Sequence, residues 1–384
     1  MASTIRGFVL LSSCALLVAL GADPVPAVAA TPGAVFPIAL ARALSKDLGL
    51  TPAQFVHRAN TARRLAAFEK SVRRVYPSVI RGVRLDRTGR PIVALAADPI
   101  AGAIRAAAEY VGFTVENGDQ ATLVDAESGT PDAIVGTELS NPAAAGLDVV
   151  GGTWLYTVRG GISRFCRTGF NATDIDGNTV NITSAHCDRT QPNPPSGLAI
   201  PVPQPPDSDA NVVRIMPNAL PRFLASPLGS RVGILRTPPL DVRLDYGIVR
   251  IDDSVKGRFQ NNLVGLDRGA SVAIDGVTDP VVGAPVCKVN SPMGFACGTV
   301  TAVDIDEIDG KKFDEKNFNT FGRIFEHIAV AEIDPGSLPG DAGTPLFSGT
   351  KALGIDLAVV GGKVFFQPIR SILDANPGLT LRTG

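Results

Sequence analysis

The chain has 384 residues, of which 45% are hydrophobic and 19% are charged, and its formal net charge at pH 7 is −1. This length can bury a sizeable core in two or three domains, and the 40 Gly and 30 Pro residues favour turn-rich β structure over long helices. The near-neutral charge gives no global nucleic-acid signature, so we expect no nucleic-acid partner.

Residues 1–30 are predicted to be an export signal. Arg6 supplies the positive charge, the run 8–20 is apolar, and residues 27–30 form a small-residue cleavage site. The apolar run is shorter than the about 20 residues that span a bilayer. We therefore expect a secreted mature protein with no membrane association. The segment 11–14 also matches a bacterial lipoprotein acylation site, which leaves lipidation at Cys14 as an open alternative.

Removal of the signal leaves four cysteines. They are Cys166, Cys187, Cys287 and Cys297. An even number in an exported protein predicts two disulfides. The sequence contains no paired C-x-x-C zinc ligands, so neither a metal nor a cofactor is expected.

Residues 31–148 are predicted to form a small α+β domain followed by a linker. The predicted elements are a helix at 34–48, a second helix from 52, a hairpin of strands 83–85 and 92–95, a helix at 100–111, and strands 113–115 and 121–124. Gly49 ends the first helix, and Thr51 followed by Pro52 is an N-cap pattern for the second. Gly, Pro and acidic residues in 127–148 indicate an exposed linker.

The second helix carries six basic residues: Arg58, Arg63, Arg64, Lys70, Arg73 and Arg74. One interpretation is a basic surface that binds an acidic partner. The other is a solvated amphipathic face, and this is the interpretation we favour.

Short apolar alternating runs separated by Gly, Asn, Asp and Pro begin at residue 149 and predict a sandwich or barrel. The runs 170–175 and 179–183 flank Asp176-Gly177-Asn178, a strong hairpin signal. The Pro-rich segment 191–209 is predicted to be an extended surface loop.

The chain has only three histidines: His57, His186 and His327. His57 lies in the basic helix and His327 in an apolar strand-like run, so we expect packing or surface roles for both. His186 differs, because Thr183-Ser184-Ala185-His186-Cys187 places it at a strand end beside a cysteine. A histidine that accepts a proton from a hydroxyl is the central requirement of acyl-transfer catalysis.

Five sequence blocks together resemble the streptogrisin and α-lytic protease branch of the chymotrypsin-like serine proteases. They are residues 165–170 around Cys166, 183–187 around His186, 245–250 beginning at Asp245, 286–300 with Cys287 and Cys297, and 339–347 containing Gly340-Asp341-Ala342-Gly343. The resemblance implies a mainly β fold of two antiparallel barrels, at 149–255 and 256–384. It also implies a small α+β propeptide domain before Val149-Val150-Gly151-Gly152, and disulfides Cys166–Cys187 and Cys287–Cys297.

The resemblance also implies roles for individual residues. His186 would be the general base and Asp245 would hold its tautomer, while position 342 would carry the nucleophile. The backbone N–H groups of Gly340 and Ala342 would form the oxyanion hole. Asp341 would pair with the residue at 288, which is Lys288 here and an arginine in the family.

Several features depart from the family pattern. Ala342 has no hydroxyl, so the chain as written is predicted not to hydrolyse peptide bonds. The cysteine that the family carries shortly before this loop is missing. The substrate-binding strand has Leu357, Ala358 and Val359 where the family has Ser-Gly-Gly. We expect these side chains to project into the primary specificity pocket or its wall.

Three hypotheses follow. The first is a natural pseudoprotease, a monomer that is made with its own propeptide and binds a peptide or protein without cutting it. The second is an active serine endopeptidase whose serine was replaced by alanine through engineering. The third is a non-enzymatic scaffold in which the basic N-terminal region does the binding.

Overall fold

The computed structural model describes residues 36–118, 148–159, 162–188, 199–201, 212–215, 230–239, 242–265, 270–290, 294–305, 325–334, 340–360 and 362–383. The predicted export signal with Cys14, the predicted strand 121–124 and the linker up to residue 147 lie outside these ranges. None of the helices within them is long and apolar enough to cross a membrane.

The described part of the N-terminal domain, residues 36–118, contains three helices and a three-stranded sheet. Its elements are α1 (Ile38–Leu48), α2 (Pro52–Val75), β1 (Ile80–Leu85), β2 (Pro91–Leu95), α3 (Ala101–Tyr110) and β3 (Thr114–Asn117). β1 and β2 form the predicted antiparallel hairpin, and β3 pairs parallel to β2. Gly49 ends α1 with a left-handed φ of 63°. Thr51 begins α2, because its side chain accepts the N–H of Gln54 in a capping box.

Within the described residues, the first half of the C-terminal region belongs to a nine-stranded sheet, whose ninth strand comes from the end of the chain. Its strands within 149–255 are β4 (Trp154–Arg159), β5 (Ile162–Arg167), β6 (Asn171–Thr173), β7 (Thr179–Thr183), β8 (Ala199–Pro201), β9 (Val212–Ile215), β10 (Arg231–Arg236) and β11 (Gly247–Ile251). The predicted turn joins β6 to β7, where the Asp174 carboxylate accepts the N–H groups of Asp176 and Asn178. β8 lies inside the predicted loop 191–209, so that prediction is wrong at 199–201, where ladder hydrogen bonds to β5 extend the sheet.

The second half is a closed six-stranded barrel in the order β14-β15-β16-β19-β18-β17. A hairpin of β12 (Leu263–Gly265) and β13 (Ser271–Ala273) precedes β14 (Pro285–Asn290), β15 (Gly294–Ile305), β16 (Ile328–Ile333), β17 (Pro345–Ser348), β18 (Lys351–Val360) and β19 (Lys363–Pro368). The chain continues through α4 (Ile369–Ala375) to β20 (Thr380–Leu381), which returns to pair with β6 of the first sheet. The predicted mainly β, chymotrypsin-like fold is confirmed, with one closed barrel and a curled nine-stranded sheet in the place of the other predicted barrel.

Two disulfides connect elements next to the loops of interest. Cys166 on β5 is bonded to Cys187 in the turn that follows β7. Cys287 on β14 is bonded to Cys297, which lies directly opposite it on β15. These are the pairs that the family resemblance implies, and each one fixes the position of a strand that carries a candidate site residue.

The N-terminal domain packs on the second barrel, with α1 against β15. Buried side chains of the two parts belong to one continuous apolar cluster, which includes Leu40, Leu44, Phe55, Phe295 and Phe347. The Asp47 carboxylate at the end of α1 also accepts the backbone N–H of Cys297 at 3.0 Å. The two parts therefore share a core.

A second contact joins β1 to the segment that precedes β14. The N–H of Leu85 donates to the carbonyl of Val282 at 2.8 Å. Gly283 has a φ of +82°, and a Cβ at that position would lie 2.0 Å from the Leu85 carbonyl oxygen. Only glycine therefore allows this close approach of the two backbones.

The turn between β1 and β2 provides a test of the stability of the N-terminal domain at low pH. Burial raises the pKa of the Asp86 carboxyl, but hydrogen bonds from Thr88 and Arg90 outweigh this effect and lower it from 3.8 to about 2. Because the pKa in the folded state is depressed, the stabilisation is present above pH about 4 and is lost as the pH falls toward 2. We expect Asp86→Asn to lower the free energy of unfolding at pH 7, and the difference from wild type to shrink below pH 4.

The measurement is denaturant unfolding of both proteins between pH 2 and pH 7. Asp374→Asn, which changes an exposed carboxylate on α4, serves as the control. A difference between wild type and Asp86→Asn that stays constant over this range would contradict the assigned role of the ionised carboxylate.

Candidate active site

His186 lies in a single 3-10 turn, Ala185–Cys187, directly after β7. Ser184 caps this turn, because its hydroxyl oxygen accepts the backbone N–H of His186 at 3.0 Å. The disulfide at Cys187 fixes the other end of the turn to β5. The imidazole is therefore attached to a short, rigid segment and is 9% exposed.

The Asp245 carboxylate faces the histidine from the segment before β11. Asp245 Oδ1 lies 3.0 Å from His186 Nδ1. The same carboxylate accepts the N–H of Ala185 at 2.9 Å and the hydroxyl of Ser184 at 2.8 Å, and it is fully buried. The backbone N–H of Asp245 donates to the Gln367 side chain at 3.0 Å. With Nδ1–H directed at the carboxylate, the basic lone pair of the imidazole is on Nε2.

An apolar cluster borders the histidine on the side of the second barrel. The ring of Phe325 lies 5.7 Å from the imidazole, measured between centroids. Phe325 packs in a cluster with Ile328, Val330 and Phe365, and Leu357 of the predicted substrate strand belongs to it. Leu357 is 3% exposed, so its side chain is part of the core of this region.

The loop before β17 carries Gly340-Asp341-Ala342-Gly343. Gly340 and Gly343 have φ values of +94° and +89°. A Cβ on Gly340 would lie 2.7 Å from the ring of Trp154, and a Cβ on Gly343 would lie 2.2 Å from the hydroxyl of Thr183. Both glycines are therefore required by backbone angle and by space, and Gly343 brings the loop against the segment that carries His186.

Backbone hydrogen bonds hold the loop on both sides. The carbonyl of Ala342 accepts the N–H of Arg167 on β5 at 2.9 Å, and the N–H of Gly343 donates to the carbonyl of Asp356 on β18 at 2.8 Å. Ala342 is half-buried and packs against an apolar cluster that includes Cys166 and Cys187. Contacts on both sides hold the loop in a fixed position, as a nucleophile-bearing loop requires. The side chain at position 342, however, is a methyl group.

Beneath the loop lies a buried cluster of two cations and two carboxylates. Asp341 is 3.2 Å from Arg167 through Oδ1 and 3.5 Å from Lys288 through Oδ2, and Lys288 is 2.5 Å from Asp356. All four residues are at most 2% exposed. The Arg167 guanidinium also stacks on Trp154, with its carbon 3.4 Å from the ring centroid. The formal charges of the cluster cancel.

The structure thus brings together most of the residues that the sequence singled out. His186 meets Asp245, and Asp341 meets Lys288 below Ala342. His57 lies apart in α2, and His327 is an exposed residue that contacts Asp304 through Nδ1 at 2.7 Å. Among the described residues, no group of His, Cys, Asp and Glu side chains could hold a metal ion.

Five residues of the site were not predicted from the sequence: Arg167, Asp356, Ser184, Gln367 and Phe325. One signal was available for Asp356, since it is the only charged residue in the otherwise apolar run 352–360. A charged residue in a buried strand is almost always paired. The partners of the other four residues are distant in the sequence, and no local pattern marks them.

The fold and the site resemble those of a known class of protein. Two antiparallel β units, a histidine bonded to a buried aspartate, and a Gly-Asp-Ala-Gly loop in this chain order support homology to the chymotrypsin-like serine proteases. The relatives among curated proteins are of the streptogrisin and glutamyl endopeptidase kind.

Streptogrisin-C of Streptomyces griseus is 34% identical over 128 residues, which cover 31% of this chain and 24% of that protein. The match thus spans about a quarter of the length of streptogrisin-C. Glutamyl endopeptidase 2 of the same organism is 28% identical over 232 residues, covering 59% of this chain and 96% of that protein. No protein-family model matches the chain.

Solved structures of similar proteins include Thermobifida fusca Protease A, with 21% identity and a TM-score of 0.40. The match covers 62% of this chain and 100% of that one. Nocardiopsis protease gives 22% identity and a TM-score of 0.40, again over 62% of this chain and 100% of the other.

The buried charge cluster makes a strong prediction for stability. Lys288→Met removes one of two cations and leaves Asp341 and Asp356 with an uncompensated negative charge, which should cost about 3–5 kcal/mol. Denaturant unfolding monitored by tryptophan fluorescence measures this loss. The control is Lys256→Met, because Lys256 pairs with Asp253 at an exposed site and should contribute less than about 1 kcal/mol.

A second variant distinguishes the effect of charge balance on stability from the effect of side-chain packing. Lys288→Met combined with Asp356→Leu removes one charge of each sign, so it should be more stable than Lys288→Met alone. Equal losses from Lys288→Met and Lys256→Met would contradict the cluster's structural role.

Proposed function

We propose that this chain is an exported, catalytically silent homologue of the chymotrypsin-like serine proteases that binds a peptide or protein segment without cleaving it. The observation that carries the proposal is the 3.0 Å contact between His186 Nδ1 and Asp245 Oδ1 beside a loop with alanine at position 342. Under this proposal His186 keeps the place of the proton acceptor, and the hydroxyl that would give up the proton is absent because residue 342 is alanine.

The chemistry explains why one missing oxygen is decisive. Peptide hydrolysis by this class requires a hydroxyl that attacks the carbonyl carbon while the imidazole takes its proton. The Ala342 methyl group has no lone pair and no acidic proton. Loss of a triad member can cost up to about 10⁶-fold in turnover. Thr344 offers no substitute, since its hydroxyl donates to the Asp341 carbonyl at 2.6 Å and is fully buried.

We treat Ala342 as the natural residue rather than an engineered one. The family resemblance implies an arginine at 288, and this chain instead has Lys288 in contact with both Asp341 and Asp356. The substrate strand also differs, since Leu357 is buried in an apolar cluster. Differences from the family pattern at several positions favour gradual divergence over a single engineered substitution. The codon in the source genomic DNA tests this point directly.

Export is part of the same proposal. Two disulfides are present in the structure, and disulfides persist mainly in oxidising compartments outside the cytosol. The apolar run at 8–20 and the small residues at 27–30 fit a cleavable signal. Detection of the processed protein in culture supernatant by mass spectrometry tests this step.

Restoring the hydroxyl tests whether the remaining machinery is competent. We expect Ala342→Ser to react with a fluorophosphonate probe and wild type to remain unlabelled, because the Asp245–His186 pair can activate an added serine. Cleavage of an unstructured protein substrate should rise at least about 10³-fold over wild type. Gel fluorescence and a peptide-release assay are the measurements.

The matched control is Ala342→Ser combined with His186→Ala, which has the same hydroxyl and lacks the base. Labelling of Ala342→Ser that does not depend on His186 would show that the histidine no longer acts as a base. An inert Ala342→Ser protein with a native circular dichroism spectrum would mean that the loop or substrate strand has also lost competence, and the proposed function would then be reduced to binding by another surface.

We also propose that the propeptide-like N-terminal domain remains bound to the barrels. Leu40, Leu44 and Phe55 are fully buried in the apolar cluster that contains Phe295 and Phe347 of the second barrel. Loss of the domain would expose this face to water, at a cost of about 25 cal/mol for each Å² of apolar surface. The Asp47 carboxylate, which accepts the N–H of Cys297, and the backbone hydrogen bond from Leu85 to Val282 add to the contact.

A cleavable linker tests this retention. A specific protease site inserted within 119–147 allows the chain to be cut after folding, and we expect both fragments to co-elute in size-exclusion chromatography. Leu44→Asp should weaken their association at least about tenfold, because a buried leucine contributes about 1.5–3 kcal/mol and the carboxylate adds a desolvation cost. Ile38→Asp on the same helix is the control, since Ile38 is 71% exposed. Separate elution of the wild-type fragments would contradict retention.

A further inference from the structure

The N-terminal domain contains a cavity of about 690 Å³ that the proposed function does not use. It lies between α2, the turn that joins β1 to β2, and the residues after α3. The side chains that matter here are His57, Arg58, Thr61, Arg64, Arg90 and Phe113. Ligand pockets in proteins usually have volumes of about 300–1,000 Å³, so this cavity could hold a small organic molecule.

Four basic side chains line the cavity. His57, Arg58 and Arg64 lie on one face of α2, because their spacing follows the helical repeat, and Arg90 faces them from the turn. Among the described residues that line the cavity, none carries a carboxylate. Part of the charge of the basic helix, which the sequence favours as a solvated face, therefore lies along this open cavity.

Two of these guanidinium groups are held by neutral contacts. Arg64 donates to the carbonyl of Val111 at 3.0 Å, and its guanidinium carbon lies 5.7 Å from the centroid of the Phe113 ring. The Arg58 side chain lies along Gly89, where an added Cβ would come within 2.8 Å of Arg58 Nε. Within the described part of the chain, neither guanidinium forms an ion pair.

Arg90 differs, because its Nε lies 3.1 Å from Asp86. The pKa of the Asp86 carboxyl is lowered to about 2, so this carboxylate is ionised at neutral pH and offsets the charge of Arg90. Arg58 and Arg64 together then leave about two positive charges at the cavity. A ligand with two negative charges would balance them.

We propose that this cavity binds a small organic dianion, either a phosphate monoester or a dicarboxylate. Arg58 and Arg64 would bind the anionic oxygens through paired N–H donors, a geometry that guanidinium groups match to both phosphate and carboxylate. Phe113 and Pro91 supply the apolar wall for the organic part of the ligand. The site lies in a different domain from His186 and does not depend on the proposed loss of catalysis.

Isothermal titration calorimetry of the full-length secreted protein tests the proposal, with phenyl phosphate and phthalate as two dianion probes and benzoate as a monoanion. At about 20 mM ionic strength, where charge interactions are weakly screened, we expect a Kd of about 1 mM or lower for at least one dianion. Benzoate should bind at least about tenfold more weakly. The stronger of the two dianions identifies the anionic group that the site prefers.

Arg58→Gln combined with Arg64→Gln should weaken dianion binding at least about tenfold. The matched control is Lys70→Gln combined with Arg87→Gln, which changes the net charge equally at two exposed positions outside the cavity. The control should bind like wild type. Equal weakening in the two double variants would reveal nonspecific attraction and overturn the proposal, as would the absence of dianion binding to wild type at about 10 mM probe.

A charge-conserving pair covers the case in which the glutamine variant does not fold. Arg58→Lys combined with Arg64→Lys keeps both charges and removes the paired donors, so we expect several-fold weaker binding with a native circular dichroism spectrum. Wild-type affinity in this variant would overturn the assignment of the two arginines as the anion ligands.

Discussion

The structure depends on a balance of buried charge. Two cations and two carboxylates form this cluster, and all four side chains are buried. Arg167 lies in the first sheet, Lys288 and Asp356 lie in the second barrel, and Asp341 lies in the loop at 340–343. Removing a single partner from such a set is far more costly than replacing the whole set by apolar side chains. The cluster therefore couples the stability of the first sheet, the second barrel and the loop of Ala342.

Position 342 is under no comparable constraint. The carboxylate of Asp245 accepts hydrogen bonds from Ser184 and Ala185 and contacts His186, so its loss would disrupt the turn that carries the histidine. The side chain at 342 only packs against an apolar cluster, where a methyl group is well tolerated. The fold thus resists replacement of Asp245 more strongly than replacement of the residue at 342. Under the proposed function, this asymmetry allows a chain with alanine at 342 to keep an ordered site.

Local chemistry determined what could be predicted from the sequence. The Thr51 cap, the turn at Asp176–Asn178 and the cysteine pairs each depend on residues close in sequence or on a motif, and the structure contains all three. The ion pair between Arg167 and Asp341 joins residues 174 positions apart, and no local pattern encodes it. Strand β8 was not predicted, because the Pro-rich composition of the segment hides a short edge pairing with β5. The core shared by the two domains was not predicted either, because it depends on how the domains are placed relative to each other.

The last strand has a consequence for how this chain can be divided. β20 follows every strand of the second barrel in sequence, yet it pairs with β6 of the first sheet, and the N–H of Arg382 next to it donates to the carbonyl of Asn171. The first sheet is therefore complete only after the chain has passed through the second barrel. A genetic break between the two halves would separate β6 from its edge partner, so an exchanged first sheet would have to replace the pairing that β20 supplies.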